Sequence, residues 1–303
     1  MAISRSQLVK ELEPGLNALF GLEYKRYENQ HSEIYNEESS DRAFEEEVML
    51  SGFANAQVKG EGSGVSFDEA QETFTARYTH ETVALAFAIT EEAIEDNLYD
   101  RLASRYTKAL ARSMSNAKQV KAVEPLIQGL PLTDNFDSGD GVSLFNTAHP
   151  TVAGTFSNTL QTPADLNETS LEQSLIDIAA MTDERGLRIA ARGVKMIIPS
   201  ELQFTAERLM KSQGRTGTAD NDINAIVSMG MVPQGYRVNN YLTDSDAFYI
   251  LTDIPNGMKM FNRAPLTTAM EGDFDTGNVR YKARERYSFG VSDPRGIFGV
   301  EGA

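Results

Sequence analysis

The chain has 303 residues, 41% of them hydrophobic and 24% charged, enough for a sizeable core in two subdomains or one large body. A formal charge of −16 and a pI near 4.7 argue against a surface built to grip phosphate backbones, and keep abundant copies from sticking non-specifically. The absence of cysteine excludes disulfides, thiolate metal sites and a Cys nucleophile, and the start MAISRSQLVKEL lacks the apolar core of a signal peptide, which together fit a cytoplasmic protein.

Residues 4–27 read as two short amphipathic pieces split at Pro14-Gly15, with Leu8 and Leu12 on one face and Leu16, Leu19 and Phe20 following. The acidic tract HSEIYNEESSDRAFEEEV (31–48) is poorly patterned and reads as an extended arm with a solvated His31. Beyond it, ANAQVKGEGSGVSFDEAQE (54–72) is a Gly- and Glu-rich loop. Phe74, Ala76 and Tyr78 then alternate, and Val83, Leu85, Phe87 and Ile89 alternate with alanines, so both faces of that strand can be buried. Residues 46–89 thus read as a long two-stranded flap with a buried base and an exposed tip. VALAFAI (83–89), the cleanest apolar run, is far too short to span a membrane.

Thr90 offers an N-cap, and Glu91, Glu92 and Glu95 suit the positive end of a helix. The ladder Ile94, Leu98, Leu102, Tyr106, Leu110, Met114, Ala117, Val120 then predicts a helix of roughly 50 Å that Pro125 stops. Residues 128–168 are turn-rich and include GDGVSLFNTAHP (139–150). A second helix follows, capped by Asn167 or Thr169, with Leu171, Leu175, Ile178, Ala179 and Met181 as its stripe. VKMIIP (194–199) is a buried strand and SELQFTAERLMKSQ (200–213) a helix capped by Ser200. Strand-like pieces at 236–242, 247–252 and 257–263 precede a long alternating strand, GNVRYKARERYSFGV. No internal repeat of fixed period is present.

Asp134, Asp137 and Asp140 near His149 form the one conceivable metal cluster, and they define an alternative reading as a soluble metal-dependent hydrolase. Aspartates spaced by three between Gly and Ser are ordinary turn chemistry, with the His149 ring bonding a backbone group. Asp220, Asp222 and Asn224 start like a calcium loop, but Ala225 and Met231 stand where Gly and Glu are required; Asp273 and Asp275 fail likewise at Arg284. GEGSGVS matches neither the nucleophile elbow nor a nucleotide-binding fingerprint, and His80 within a strand reads as a satisfied core or interface residue. No catalytic residue, metal site or cofactor is expected. The last strand carries the sharper signal, with Arg280, Lys282, Arg284 and Arg286 on one face. On so acidic a chain they point to a complementary acidic surface, within the subunit or on a neighbour, ahead of DNA.

The order of elements, and stretches such as LEPGLNALFGLEYKRY, RYTHETVALAFAIT, GDGVSLFNTAHP with GTFSN, TDERGLRIA, IIPSELQFTAERL, GTADNDINAI, YLTDSDAFYILTDIPNG and DFDTGNVRYKARERYSFGVSDPRGIFG, resemble the major capsid protein of tailed phages, including the Mu-like prophage head subunit group. The resemblance spans nearly the whole chain. It implies an α+β, Hong Kong 97-like fold with an N-terminal arm (1–45), an extended hairpin loop that overlaps a neighbour (46–82), a peripheral domain with a spine helix (83–127), an axial domain (128–264) and peripheral return strands (265–303). It further implies a structural shell subunit of the virion, no enzyme, that is assembled in the host cytoplasm into pentamers and hexamers around double-stranded DNA. A separate scaffolding protein, a portal and decoration proteins would be its partners. Inter-subunit contacts are expected at Lys59, Glu61, Asp68 and Glu69 in the loop and at Arg280, Lys282, Arg284 and Arg286. Lys59 is the loop's only lysine, where some relatives form an isopeptide crosslink. A cellular cargo compartment on the same fold is a further alternative.

Overall fold

The computed structural model describes residues 5–90, 92, 99–130, 136–214, 222–273 and 276–303. Two four-stranded sheets organise it. The first has the order β1-β10-β11-β4, with β1 (Asn36–Ser39), β4 (Glu81–Ile89), β10 (Met258–Gly272) and β11 (Val279–Val291). The second has the order β12-β9-β7-β8, with β7 (Gly193–Ile198), β8 (Tyr236–Val238), β9 (Phe248–Thr252) and β12 (Ile297–Val300). A separate hairpin pairs β2 (Phe44–Leu50) with β3 (Glu72–Thr79), and a small one pairs β5 (His149–Thr151) with β6 (Gly154–Phe156).

The alternation read in the last strand is borne out: Val279, Tyr281, Ala283, Glu285 and Tyr287 face inward, while Arg280, Lys282 and Arg284 are exposed. Its partner β10 shifts register on either side of Ala264, next to Pro265, which has no N–H to give to a ladder. Two helices pack on the inner face, α1 (Arg5–Arg26) and α2 (Tyr99–Gln128), through Leu16, Phe20, Leu110, Ala111, Met114, Tyr281 and Ala283. Helix α3 (Glu168–Ala180) begins at Asn167, whose side chain accepts from the Ser170 N–H while the Ser170 hydroxyl accepts from the Asn167 N–H. Together with α4 (Gln203–Lys211) and the short α5 (Ala225–Ser228) it covers the second sheet in its own core of Leu171, Ile178, Met196, Phe248, Ile250 and Phe298. A third core lies between the sheets, where the Tyr35 hydroxyl donates to the Ala122 carbonyl at 2.6 Å and Tyr249 to that of Leu126 at 3.3 Å. The sheets also meet backbone to backbone: a Cβ on Gly257 would stand 2.7 Å from the Gly296 Cα, so neither glycine tolerates a side chain.

Several local expectations are corrected. Helix α1 runs unbroken through Pro14, because burying Leu16 and Phe20 against α2 outweighs one lost backbone bond. The acidic tract is no free arm: a 3-10 turn (Gln30–Glu33) leads into β1, which pairs in parallel with β10, and then into β2. His31 is buried, with Gln119 bonding its Nδ1. The flap consists of β2 and β3 alone, while β4 leaves it after His80 to join the first sheet at its edge. Only one face of β4 is covered, since Ala84, Ala86 and Ala88 remain exposed. Pro125 lies inside α2, which continues to Gln128. The buried stripe of α2 is also rotated from the expected ladder. Ala103, Thr107, Leu110, Ala111 and Met114 face the core, and Tyr106 and Val120 do not. Ile94, Leu98 and the side chain of Leu102 lie outside the described residues, as do Glu91, Glu95 and the side chains of Leu8 and Leu12.

Candidate assembly interface

The one conceivable metal cluster resolves into a structural hub. His149 is fully buried on β5, with Nδ1 2.7 Å from Asp140 Oδ2 and Nε2 2.9 Å from Asn158 Oδ1 and 3.2 Å from the Leu144 carbonyl. Asn158 Oδ1 also accepts from the Asn146 N–H, and its amide donates to the carbonyls of Leu144 and Pro294. Each ring nitrogen is therefore engaged by oxygen atoms of the fold itself. Burial pushes the Asp140 carboxyl up, but bonds from His149 and Ser138 outweigh it and hold the group below the usual carboxylate range. Asp137 accepts from the N–H groups of Gly139 and Gly141, which is turn chemistry, and Asp134 lies outside the described residues. Asp220 and Asp275 lie outside them too. Among the described residues no group of three or more His, Asp or Glu is placed to hold a metal, and no helix is long and apolar enough to cross a membrane.

The flap is the opposite case. Its neck is closed by a pair of bonds between Ser51 and Gln71 and by Asp68, whose carboxylate accepts from the Ala54 N–H at 2.6 Å. That bond and one from the Glu69 N–H hold the Asp68 carboxyl below its ordinary range. Lys59, Glu61, Asp68 and Glu69 are all exposed, as expected of loop-tip residues. What sequence reasoning missed is the apolar load beside them: Val58 is 100% exposed, Phe67 98%, Val65 67% and Phe53 61%. Their signal was present as four large apolar residues in a tract rich in Gly and Glu, where no core can form. The flap is tied to its own body at the base, where Lys259 reaches Glu47 at 2.5 Å and Glu38 at 3.2 Å, and near the tip, where Arg185 donates to the Glu69 carbonyl and lies 3.8 Å from Asp68.

On the outer face of β11 the four cations differ. Arg280 is paired with Asp273 at 2.5 Å, and Arg286 is half-buried near His80. Lys282 and Arg284 are exposed and have no acidic partner among the described residues. Their neighbours across the register are small: Ala86 and Ala84 on β4, Ala269 and Thr267 on β10. On the inner face, sequence reasoning also missed Glu285, buried 3.6 Å from Lys118 and bonded by the Tyr24 hydroxyl, its carboxyl pushed up by burial.

A family model described as phage capsid protein matches residues 72–300. The chain belongs to the phage capsid protein family. This capsid protein is a structural shell subunit and no enzyme. It is similar in fold to the virus-like particle from Pyrococcus furiosus (TM-score 0.53, 10% identity, covering 94% of this chain and 98% of that one). It also matches the capsid of Myoviridae phage XM1 (0.51, 12%, 89% and 89%) and the capsid of the native GTA particle (0.53, 13%, 91% and 91%). The capsid protein therefore has the Hong Kong 97-like fold expected from its sequence. No curated protein sequence matches it.

Proposed function

We propose that this capsid protein closes with copies of itself, as pentamers and hexamers, into an icosahedral shell that encloses double-stranded DNA. The carrying observation is the flap, whose tip concentrates the exposed Val58, Phe67, Val65 and Phe53 within residues 53–67, outside every buried core of the described residues. A long loop with exposed apolar side chains and no core of its own is ordered by a partner. In this reading 46–82 lies across a neighbouring subunit, with Lys59, Glu61, Asp68 and Glu69 at the contact. The first sheet with α1 and α2 forms the peripheral domain, drawing on 83–127 and on the strands from 265 through β11. The second sheet, drawing on 128–264 and joined by β12, forms the axial domain around capsomer centres. Arg280, Lys282, Arg284 and Arg286 supply further inter-subunit contacts. A scaffolding protein, a portal and decoration proteins complete the particle, which is assembled in the host cytoplasm.

The test is electron microscopy of purified protein in which residues 57–70 are replaced by an Asn-Gly turn. The parent should form closed shells, and the variant should remain as folded monomers or loose capsomers. Closed shells from the variant would refute the role of the flap.

A further inference from the structure

The first sheet has two edges of unlike character. At β1 the edge is four residues long and carries Glu37 and Glu38, charges of the kind that discourage further pairing. At β4 it is nine residues long, pairs with β11 through Glu81–Ile89 without a register shift, and has no charge from Thr82 to Ile89, no proline and no bulge. Such an edge is a ready template for another strand. Its two faces set what that strand must carry. Toward α2, Leu85 is 46% exposed beside Phe87 and asks for apolar cover. On the outer face Ala84, Ala86 and Ala88 form a low trough beside Arg284, Lys282 and Arg280. A strand added at β4 would lie two strand spacings, about 10 Å, from β11, and alanines leave that gap open to a cationic and an acidic side chain reaching from either side.

We infer that this edge receives residues 64–69 of the flap from a second copy of the chain. The inference rests on the proposed role of the flap and adds its address. Along Gly64–Glu69 the side chains alternate as the edge requires: Val65 and Phe67 on one side, Ser66 and Asp68 on the other. Residues 64–67 have no backbone hydrogen bond among the described residues, so their amide groups are free to join a ladder. Charge is complementary, with Asp68 meeting Lys282 and Arg284, which have no acidic partner among the described residues. The flap's own copy holds Asp68 and Glu69 at Arg185, on the turn 183–187, so the β4 it joins is another's. The Arg185–Asp68 pair, at 3.8 Å and partly exposed, is weak enough to be exchanged.

The chain has no cysteine, so engineered pairs report cleanly. Ser66→Cys combined in turn with Ala84→Cys, Ala86→Cys or Ala88→Cys should give a disulfide between copies for at least one pair. The crosslinked fraction should be about tenfold or more higher in shells than in free subunits, because assembly raises the effective concentration of the partners. Closed shells with no crosslink from any pair would overturn the address while leaving the flap's role standing. Equal crosslinking by Ala86→Cys alone would overturn it in favour of β4 pairing with β4 of a second copy. A charge exchange covers failure of the cysteine variants to assemble. Asp68→Arg or Arg284→Asp alone should reduce shell yield about tenfold, as a loss of order 1.4 kcal/mol, and the two together should restore it. No restoration by the exchange would overturn the inference.

Discussion

Two irregular stretches of this capsid protein, 136–160 and 53–69, look alike in composition and behave oppositely. In the first, Asn158 alone ties Leu144, Asn146, His149 and Pro294 together, and Arg295 stacks over Phe156 while pairing with Glu184 at 2.6 Å. In the second, polar bonds close the neck and leave large apolar side chains bare. Irregular chain is stable inside a fold when its backbone and polar groups find partners there, and it is an interface when its apolar groups do not.

The sharpest way to break this contrast is to remove the hub. Asn158→Ala strips partners from several buried groups at once and should lower the unfolding free energy of the free subunit by about 3 kcal/mol or more, read from denaturant midpoints. His149→Ala should destabilise as well, since it leaves Asp140 buried without its ring partner. On the flap, Phe67→Ser with Val58→Ser should change that unfolding free energy by no more than about 0.5 kcal/mol while strongly reducing shell formation. A flap variant that unfolds the subunit, or a hub variant that does not, would erase the distinction.

A finer test separates the cations of β11. Lys282→Glu with Arg284→Glu should leave the free subunit within about 0.5 kcal/mol of the parent and weaken shells, more so at low salt. Arg286→Glu should instead destabilise the subunit itself, since Arg286 is half-buried. The smallest expected effect is on pH dependence. Burial, and then Lys118, lowers the proton affinity of His31 in the folded chain below the ordinary value of 6.5; burial, and then Arg286, does the same for His80. The unfolded chain thus binds these protons more readily, so the associated stability is complete above about pH 6.5 and is lost as pH falls through the lowered folded values. Site-resolved titration of the free subunit by NMR should find both rings titrating below the ordinary value.

What the sequence made legible was local. Asn167 as cap, the stripe of α3 and the alternation of β11 each depend on residues within one element, and the structure has them as expected except that Ala179 of the stripe is exposed. Three histidines were harder. Their partners Gln119, Ser288 and Asn158 lie 88, 208 and 9 residues away, and no spacing rule reaches them. The phase of α2 was missed because small and polar residues, Ala103, Thr107 and Ala111, line its buried face where α1 packs, while the larger Tyr106 and Val120 stay outside. The exposed tip of the flap was legible as a loop, but its four bare apolar side chains acquire meaning only once the cores elsewhere are seen to be complete.

The contact of Gly257 with Gly296 bears on how such a wall carries load. There the first sheet, at the start of β10, touches the turn that leads into β12 of the second sheet with nothing but main chain between them. A seam of interdigitated side chains yields to pressure by rotamer changes, whereas two main-chain segments already at contact distance cannot be pressed closer. A load that presses the two sheets together at this point therefore meets backbone directly, and the spacing of the sheets there has a fixed lower limit.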